Sequence, residues 1–231
     1  MKQTKYVYIL GILVFTLGSR IPVAFAAMHT LGTNISSPDG TVYTITVEGG
    51  QNVRRPYTSA GAFLSYGFNS WSSVVPASTD DMVLTVGSFI PPQDGKIICS
   101  DRGSDKGTCY LISQIQKFAF PSATIFNQQG FTFSHVLYGD VSFLQSGGII
   151  QNPNQAHNPG VIVNKDGTLY FVGGDGGLWG FPDASIFTGW GYSFADAVPA
   201  NAADRALQMT SVLPARTPGM ISPYGQNSST K

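Results

Sequence analysis

Hydrophobic positions in this chain come in short runs, each broken within a few residues by Gly, Asn, Asp or Ser. Val42, Ile45 and Val47 with Tyr43, and Leu169, Tyr170, Phe171 and Val172, are β-branched or aromatic and bounded by turn signals, which predicts strands. Asp39-Gly40, Asp166-Gly167 and Asp175-Gly176 are hairpin-turn dipeptides. Lys96-Ile97-Ile98 and Tyr110-Leu111-Ile112 predict two further strands around a polar loop.

Self-comparison shows that these runs repeat. Gly40-Thr41-Val42-Tyr43 recurs as Gly107-Thr108-Cys109-Tyr110 and as Gly167-Thr168-Leu169-Tyr170. Downstream, Ser59-Ala60-Gly61-Ala62-Phe63 matches Ser122-Ala123-Thr124-Ile125-Phe126 and Asp183-Ala184-Ser185-Ile186-Phe187. Each is followed by Gly and an aromatic, Gly67-Phe68, Gly130-Phe131 and Gly191-Tyr192, spaced 63 and 61 residues apart. Ser59, Ser122 and Asp183 are N-cap types, and the glycines suit a left-handed helix end. At most two turns fit between them, so each helix must be held by packing its Phe on strands. A third block aligns Trp71, Phe133 and Phe194, with Trp71 expected in the core, and Ser73, His135 and Asp196 share one repeat position.

These patterns predict an α+β, mainly β chain of three small tandem modules, each of short strands and a hairpin with one short helix, at 29–92, 93–151 and 159–216. Gln151 to Asn158 reads as a linker, and 217–231 has the composition of a disordered tail. A β-propeller-like arrangement is the alternative, since Gly-Thr-Leu-Tyr-Phe-Val before a Gly-Asp-Gly turn also suits a blade, although propellers generally need at least four.

The N-terminus changes the picture of where the chain works. Lys2 and Lys5 precede a 12-residue apolar run, Tyr6 to Leu17, and then Ala24-Phe25-Ala26. That is the three-part pattern of a secretory signal with an A-x-A cleavage site at 1–26, too short for the ~20 apolar residues of a membrane span. Export would place Cys99 and Cys109 in an oxidising compartment, where a bridge across the hairpin is expected. Closing that loop stabilises by about 2–3 kcal/mol in the chain-entropy model. Removal of residues 1–26 leaves 10 basic and 13 acidic residues, net −3, so neither nucleic acid nor anionic lipid is an expected partner. The 27 Gly and 14 Pro among 231 residues, with Glu48 the one Glu, disfavour long exposed helices.

The stretch from Asp166 to Pro199 carries Asp-Gly-Thr-x-Tyr, Gly-Phe-Pro-Asp-Ala-Ser-Ile-Phe and Trp-Gly-Tyr-Ser-Phe-Ala-Asp-Ala-Val-Pro. It resembles a repeat of uncharacterised secreted and cell-surface proteins of small-genome, candidate-phyla bacteria, and the resemblance extends over most of the exported part. It implies an envelope or extracellular location and a non-catalytic role, with no catalytic residue or ligand to carry over. The first copy departs from the pattern, with Arg55-Pro56-Tyr57-Thr58 where the others have Phe120-Pro121 and Phe181-Pro182.

The search for chemistry returns little. His29, His135 and His157 stand in no metal-ligand spacing, and no Gly-x-Ser-x-Gly elbow is present. Asp80-Asp81 and Asp204 read as caps of short closing turns rather than a catalytic carboxyl pair. Asp101 to Gly107 alternates oxygen ligands as a calcium loop would but lacks the downstream bidentate acid. No enzyme activity, cofactor or metal is therefore expected. Aromatic residues are the remaining lead. Trp179, Trp190 and Tyr66 are the candidate ligand-binding faces, with core filling as the other possibility. The expected function is adhesion or assembly at the cell envelope, through envelope glycan, surface proteins or self-association. The alternative is a carbohydrate- or peptidoglycan-binding module accompanying a wall hydrolase.

Overall fold

The computed structural model describes residues 27–68 and 70–223. The expected signal segment at 1–26 and the residues beyond 223 lie outside the described residues.

The chain folds into three similar five-stranded sheets. The first is built from β1 (Asn34–Ser36), β2 (Val42–Glu48) and β3 (Gln51–Pro56), then α1 (Ala60–Ser65), β4 (Val74–Pro76), α2 (Thr79–Val83) and β5 (Thr85–Val86). The second uses β6 (Ile97–Ser100), β7 (Cys109–Ser113), β8 (Gln116–Ala119), α3 (Ala123–Gln128), β9 (Leu137–Gly139) and β10 (Gln145–Ile149). The third uses β11 (Ile162–Lys165), β12 (Thr168–Val172), β13 (Leu178–Gly180), α4 (Ala184–Gly189), β14 (Val198–Pro199), α5 (Ala202–Ala206) and β15 (Met209–Val212). Each sheet is an antiparallel three-stranded meander with one parallel strand added on either edge, in the order β4-β1-β2-β3-β5 and its two equivalents. The parallel edges separate these sheets from the antiparallel blades of a propeller.

Register follows the repeat. Tyr43 lies opposite Ile35 and Pro56, Tyr110 opposite Ile98 and Ala119, and Tyr170 opposite Val163 and Gly180. Gly-Thr-x-Tyr thus fixes the same rung of each ladder. A one-residue slip would turn every apolar side chain to the wrong face. The helix ends match their caps: Ser59, Ser122 and Asp183 accept from the backbone N–H of Ala62, Ile125 and Ile186. Gly67, Gly130 and Gly191 follow with φ of 81°, 82° and 84°.

The meander turns divide more finely than their dipeptides suggest. Asp166-Gly167 is a two-residue turn with both φ positive, the form that suits strand twist. Asp39-Gly40 and Asp175-Gly176 lie instead in five-residue loops, where only the Gly has positive φ. Glu48 and Gln51 are joined through Gly49-Gly50 in a two-residue turn.

The modules are not independent. The helix-bearing face of the second sheet, with Ile97, Leu111 and Phe126, shares one apolar cluster with Val163, Val172 and Leu178 from the helix-free face of the third. Phe187, Phe171 and Ile162 fill the third sheet's other face, on which Leu213 and Met220 also pack. At the first junction, Gly61 of α1 lies so close to the Tyr138 carbonyl that a Cβ would stand 2.5 Å from it. The first and third modules meet where Gly67 and Gly191 touch backbone to backbone.

The first residues of the 217–231 segment make contacts with the fold, and one expectation, for Trp71, needs correction. The Gly219 carbonyl accepts from Thr46 Oγ1 at 2.5 Å, and Arg216 stacks over Tyr66 and Trp190, so the start of the tail ties the third module back to the first. Trp71 is 50% exposed rather than core. It lies as a lid on Phe63, ring centroids 4.6 Å apart, as Phe133 does on Phe126 and Phe194 on Phe187. The segment 151–158 is also held down, by Gln129 Nε2 donating to Pro153 O and Asn201 Nδ2 donating to Gln155 O.

Candidate functional site

A cavity of about 290 Å³ opens between the second and third modules. Its walls come from the turn before β6, the segment after α3 and the 3₁₀ turn before β14. Lys96, Thr132, His135, Phe194 and Asp196 supply the chemistry. The repeat brings these groups together, because His135 and Asp196 occupy one repeat position and line the same cavity from adjacent modules.

Each polar group is positioned. Lys96 Nζ donates to Asp196 Oδ2 at 2.7 Å and lies 5.3 Å from the centroid of the Tyr192 ring. The Ser193 backbone N–H donates to the same Oδ2 at 2.7 Å, which fixes the carboxylate at the start of the 3₁₀ turn. His135 Nδ1 pairs with Thr132 Oγ1 at 3.2 Å. Phe194 is 66% exposed, leaning on Phe187 with centroids 5.0 Å apart. Chemically the arrangement offers a fixed acceptor, a fixed donor, an imidazole and an open aromatic ring.

The aromatic residues singled out from sequence lie elsewhere. Trp190 is fully buried, its Nε1 donating to Pro214 O at 2.7 Å, and Tyr66 is 5% exposed with its hydroxyl donating to Pro91 O. Both follow a helix and turn inward, so neither presents a ring face on which a ligand could stack. Trp179 is partly buried, tilted against Phe171 and donating from Nε1 to Asp175. The structure does not bring Trp179, Trp190 and Tyr66 into one site.

Cys99 and Cys109 are bridged and directly opposed on β6 and β7. Their Cα atoms are 3.9 Å apart, closer than the ~4.4–6.8 Å usual for a bridge. In the loop between them the Asp105 carboxylate accepts from Ser100 Oγ, Tyr110 OH and Lys117 Nζ, so its oxygens are already used by the protein. Asp101 is paired with Arg102.

Sequence reading missed a paired device. Asp81 and Asp204 are the N3 residues of capping boxes on α2 and α5, and both are fully buried. Each also holds a histidine five residues before the first strand of its module. His29 N–H and Nδ1 meet Asp81 at 2.8 and 2.6 Å, and His157 N–H and Nδ1 meet Asp204 at 2.8 and 2.7 Å. Burial raises the affinity of Asp204 for a proton, but the hydrogen bonds and charge of His157 outweigh it and hold the carboxyl below its usual range. The matching placement of His29 and His157 ahead of their modules was the available signal.

No family model matches the chain, and no curated protein is similar to it. Among solved structures, a chain of the periplasmic assembly from the ESX-5 inner membrane complex is 13% identical, over 89% of this chain and 72% of that one, with a TM-score of 0.20. A chain of an intact ESX-5 inner membrane complex is 12% identical over 84% of this chain, with a TM-score of 0.19, and this chain spans 63% of its length. Likeness at that level carries no inference about fold or function. Among the described residues no helix is long and apolar enough to cross a membrane.

Proposed function

We propose that the protein is an exported, non-catalytic repeat protein that works by adhesion or assembly at the cell envelope. The observation that carries this reading is the apolar outer edge shared by the three sheets. Val86 on β5, Ile149 on β10, and Met209 and Val212 on β15 are each 49–57% exposed, and Val83 and Phe89 beside β5 reach 84% and 68%. Unpaired strand edges template pairing with another chain, and natural proteins usually guard them with Lys, Pro or a bulge. β10 and β15 each carry one extra residue against their partner strand, Gly147 and Thr210, yet with β5 they still present exposed apolar side chains, which fits a surface that another chain covers. The export pattern and the hairpin disulfide support an oxidising location.

The test is sedimentation of the purified 27–231 chain, alone and with isolated envelope fractions. Self-association or co-sedimentation is expected, with loss in a Val86→Lys, Ile149→Lys, Met209→Lys variant that still melts like the parent. A monomer that never binds envelope material would overturn the reading.

A further inference from the structure

The cavity between the second and third modules has the ingredients of sugar recognition. A pyranose has an apolar C–H face and an equatorial belt of hydroxyls, each both donor and acceptor. An aromatic ring complements the first, and fixed charged or amide groups complement the second. Phe194 lines the cavity with two thirds of its surface open. Asp196 Oδ2 takes the Lys96 and Ser193 hydrogen bonds, and Oδ1 makes none among the described residues. Lys96 Nζ has donors left over after its bond to Asp196. His135 uses Nδ1 on Thr132, leaving Nε2 without a hydrogen bond among the described residues.

Other ligand classes suit the cavity less well. Its one lysine is already neutralised by Asp196, which disfavours a phosphate or other anion. Three fixed polar groups disfavour a purely apolar guest. At about 290 Å³ the cavity stands at the small end of the ~300–1,000 Å³ of ligand pockets, room for one sugar unit rather than a folded partner.

We infer that this cavity is a subsite for one pyranose unit of an envelope glycan, with Phe194 as the stacking face and the Lys96–Asp196 pair as the hydroxyl clamp. The inference rests on the adhesion reading and gives it a ligand class.

The test is NMR titration of the 27–231 chain with chitotriose and, separately, cellotriose. Saturable shifts of the His135 imidazole and the Ala195 amide are expected for at least one of the two. Phe194→Ala should weaken binding about tenfold or more, equivalent to about 1.4 kcal/mol. Asp196→Asn should weaken it as well. Phe133→Ala removes the equivalent lid ring outside the cavity and should leave affinity unchanged. Absence of saturable shifts with both sugars at millimolar concentration overturns the proposal, as does an unchanged affinity in a folded Phe194→Ala. Envelope co-sedimentation is scored on the same samples. If it persists while both sugars fail, the subsite falls and adhesion stands; if a sugar binds and the envelope does not, the adhesion reading falls.

Discussion

Replacing His157 by Ala takes two ring hydrogen bonds and the partner of a carboxylate out of the interior. The ring is 1% exposed and Asp204 is fully buried. Nδ1 meets Asp204 Oδ2 at 2.7 Å, and Nε2 meets the Gln129 carbonyl, from the second module, at 2.8 Å. Breaking a buried pair from one side usually costs ~3–5 kcal/mol. Here Asp204 keeps two backbone donors, the N–H of residue 157 and that of Asn201 at 2.9 Å, so the lower end applies. We expect a loss of about 3 kcal/mol, roughly 6–12 °C in melting temperature for a chain of this size. His29→Ala is the internal control. It breaks the matching contact to Asp81, but its ring is 34% exposed and solvent-screened, so about 1 kcal/mol is expected. Acid should separate the two proteins further. Because the Asp204 carboxyl is held low in the folded chain, its contribution is present above the unfolded value near 3.8 and is lost as pH falls through the folded value. Without the ring that depression shrinks, and the acid limb of the stability curve should move upward. Urea unfolding of the three proteins at neutral pH and at pH near and below 4 measures all of this. A His157→Ala loss below 1 kcal/mol, or equal to that of His29→Ala, would refute the reasoning.

Other perturbations test other joints. Gly191→Ala would put a Cβ 2.0 Å from the Tyr66 carbonyl at a φ of +84°, so the first and third modules should part, with a loss of about 3 kcal/mol or more. Gly189→Ala, two residues away in α4 with nothing within 4 Å, should stabilise by up to about 1 kcal/mol in the same thermal melts. Removing the bridge with Cys99→Ala and Cys109→Ala should cost about 2–3 kcal/mol. Since the second and third modules share one apolar cluster, calorimetry should show them melting together rather than the second alone. Asp94 is pushed up to about 6, chiefly by burial and against the Gln114 and Ile115 amides it accepts from. A raised carboxyl stabilises below its unfolded value and loses that contribution as pH rises through about 6, so Asp94→Asn should flatten the stability slope between pH 4 and 7. It should also raise stability at pH 8, seen by urea titration.

What could be read from sequence was local. Gly-Thr-x-Tyr, the capped helices and their closing glycines work through contacts within a few residues, and all three copies behave alike. The runs Leu84 to Ile90, Leu144 to Ile150 and Leu207 to Leu213 predict a closing strand in each module, but its parallel pairing at the sheet edge escaped because β5 has two residues and its partner lies 32 residues away, as Val53 opposite Thr85. The turn at Gln114-Ile115 has two positive φ values with no Gly or Asn to announce it, since the Asp94 carboxylate holds it from a distant segment. Aromatic identity alone did not separate the inward Trp190 from the half-open Trp71. Trp190 caps α4 and is covered by the returning segment at Leu213-Pro214, whereas Trp71 opens a 3₁₀ turn and lies on Phe63 with its outer side open. The cavity was invisible as well. Lys96 and Asp196 are 100 residues apart, and only the packing of two modules brings them together.

The most direct test of the central claim is fractionation of producing cells, followed by N-terminal sequencing of the recovered protein. The account predicts a mature chain beginning at or next to Ala27, with Cys99 and Cys109 oxidised, that sediments with the envelope and is shed when the exposed β5, β10 and β15 residues are changed to Lys. An intact Met1 terminus with free thiols in the cytosolic fraction would contradict it.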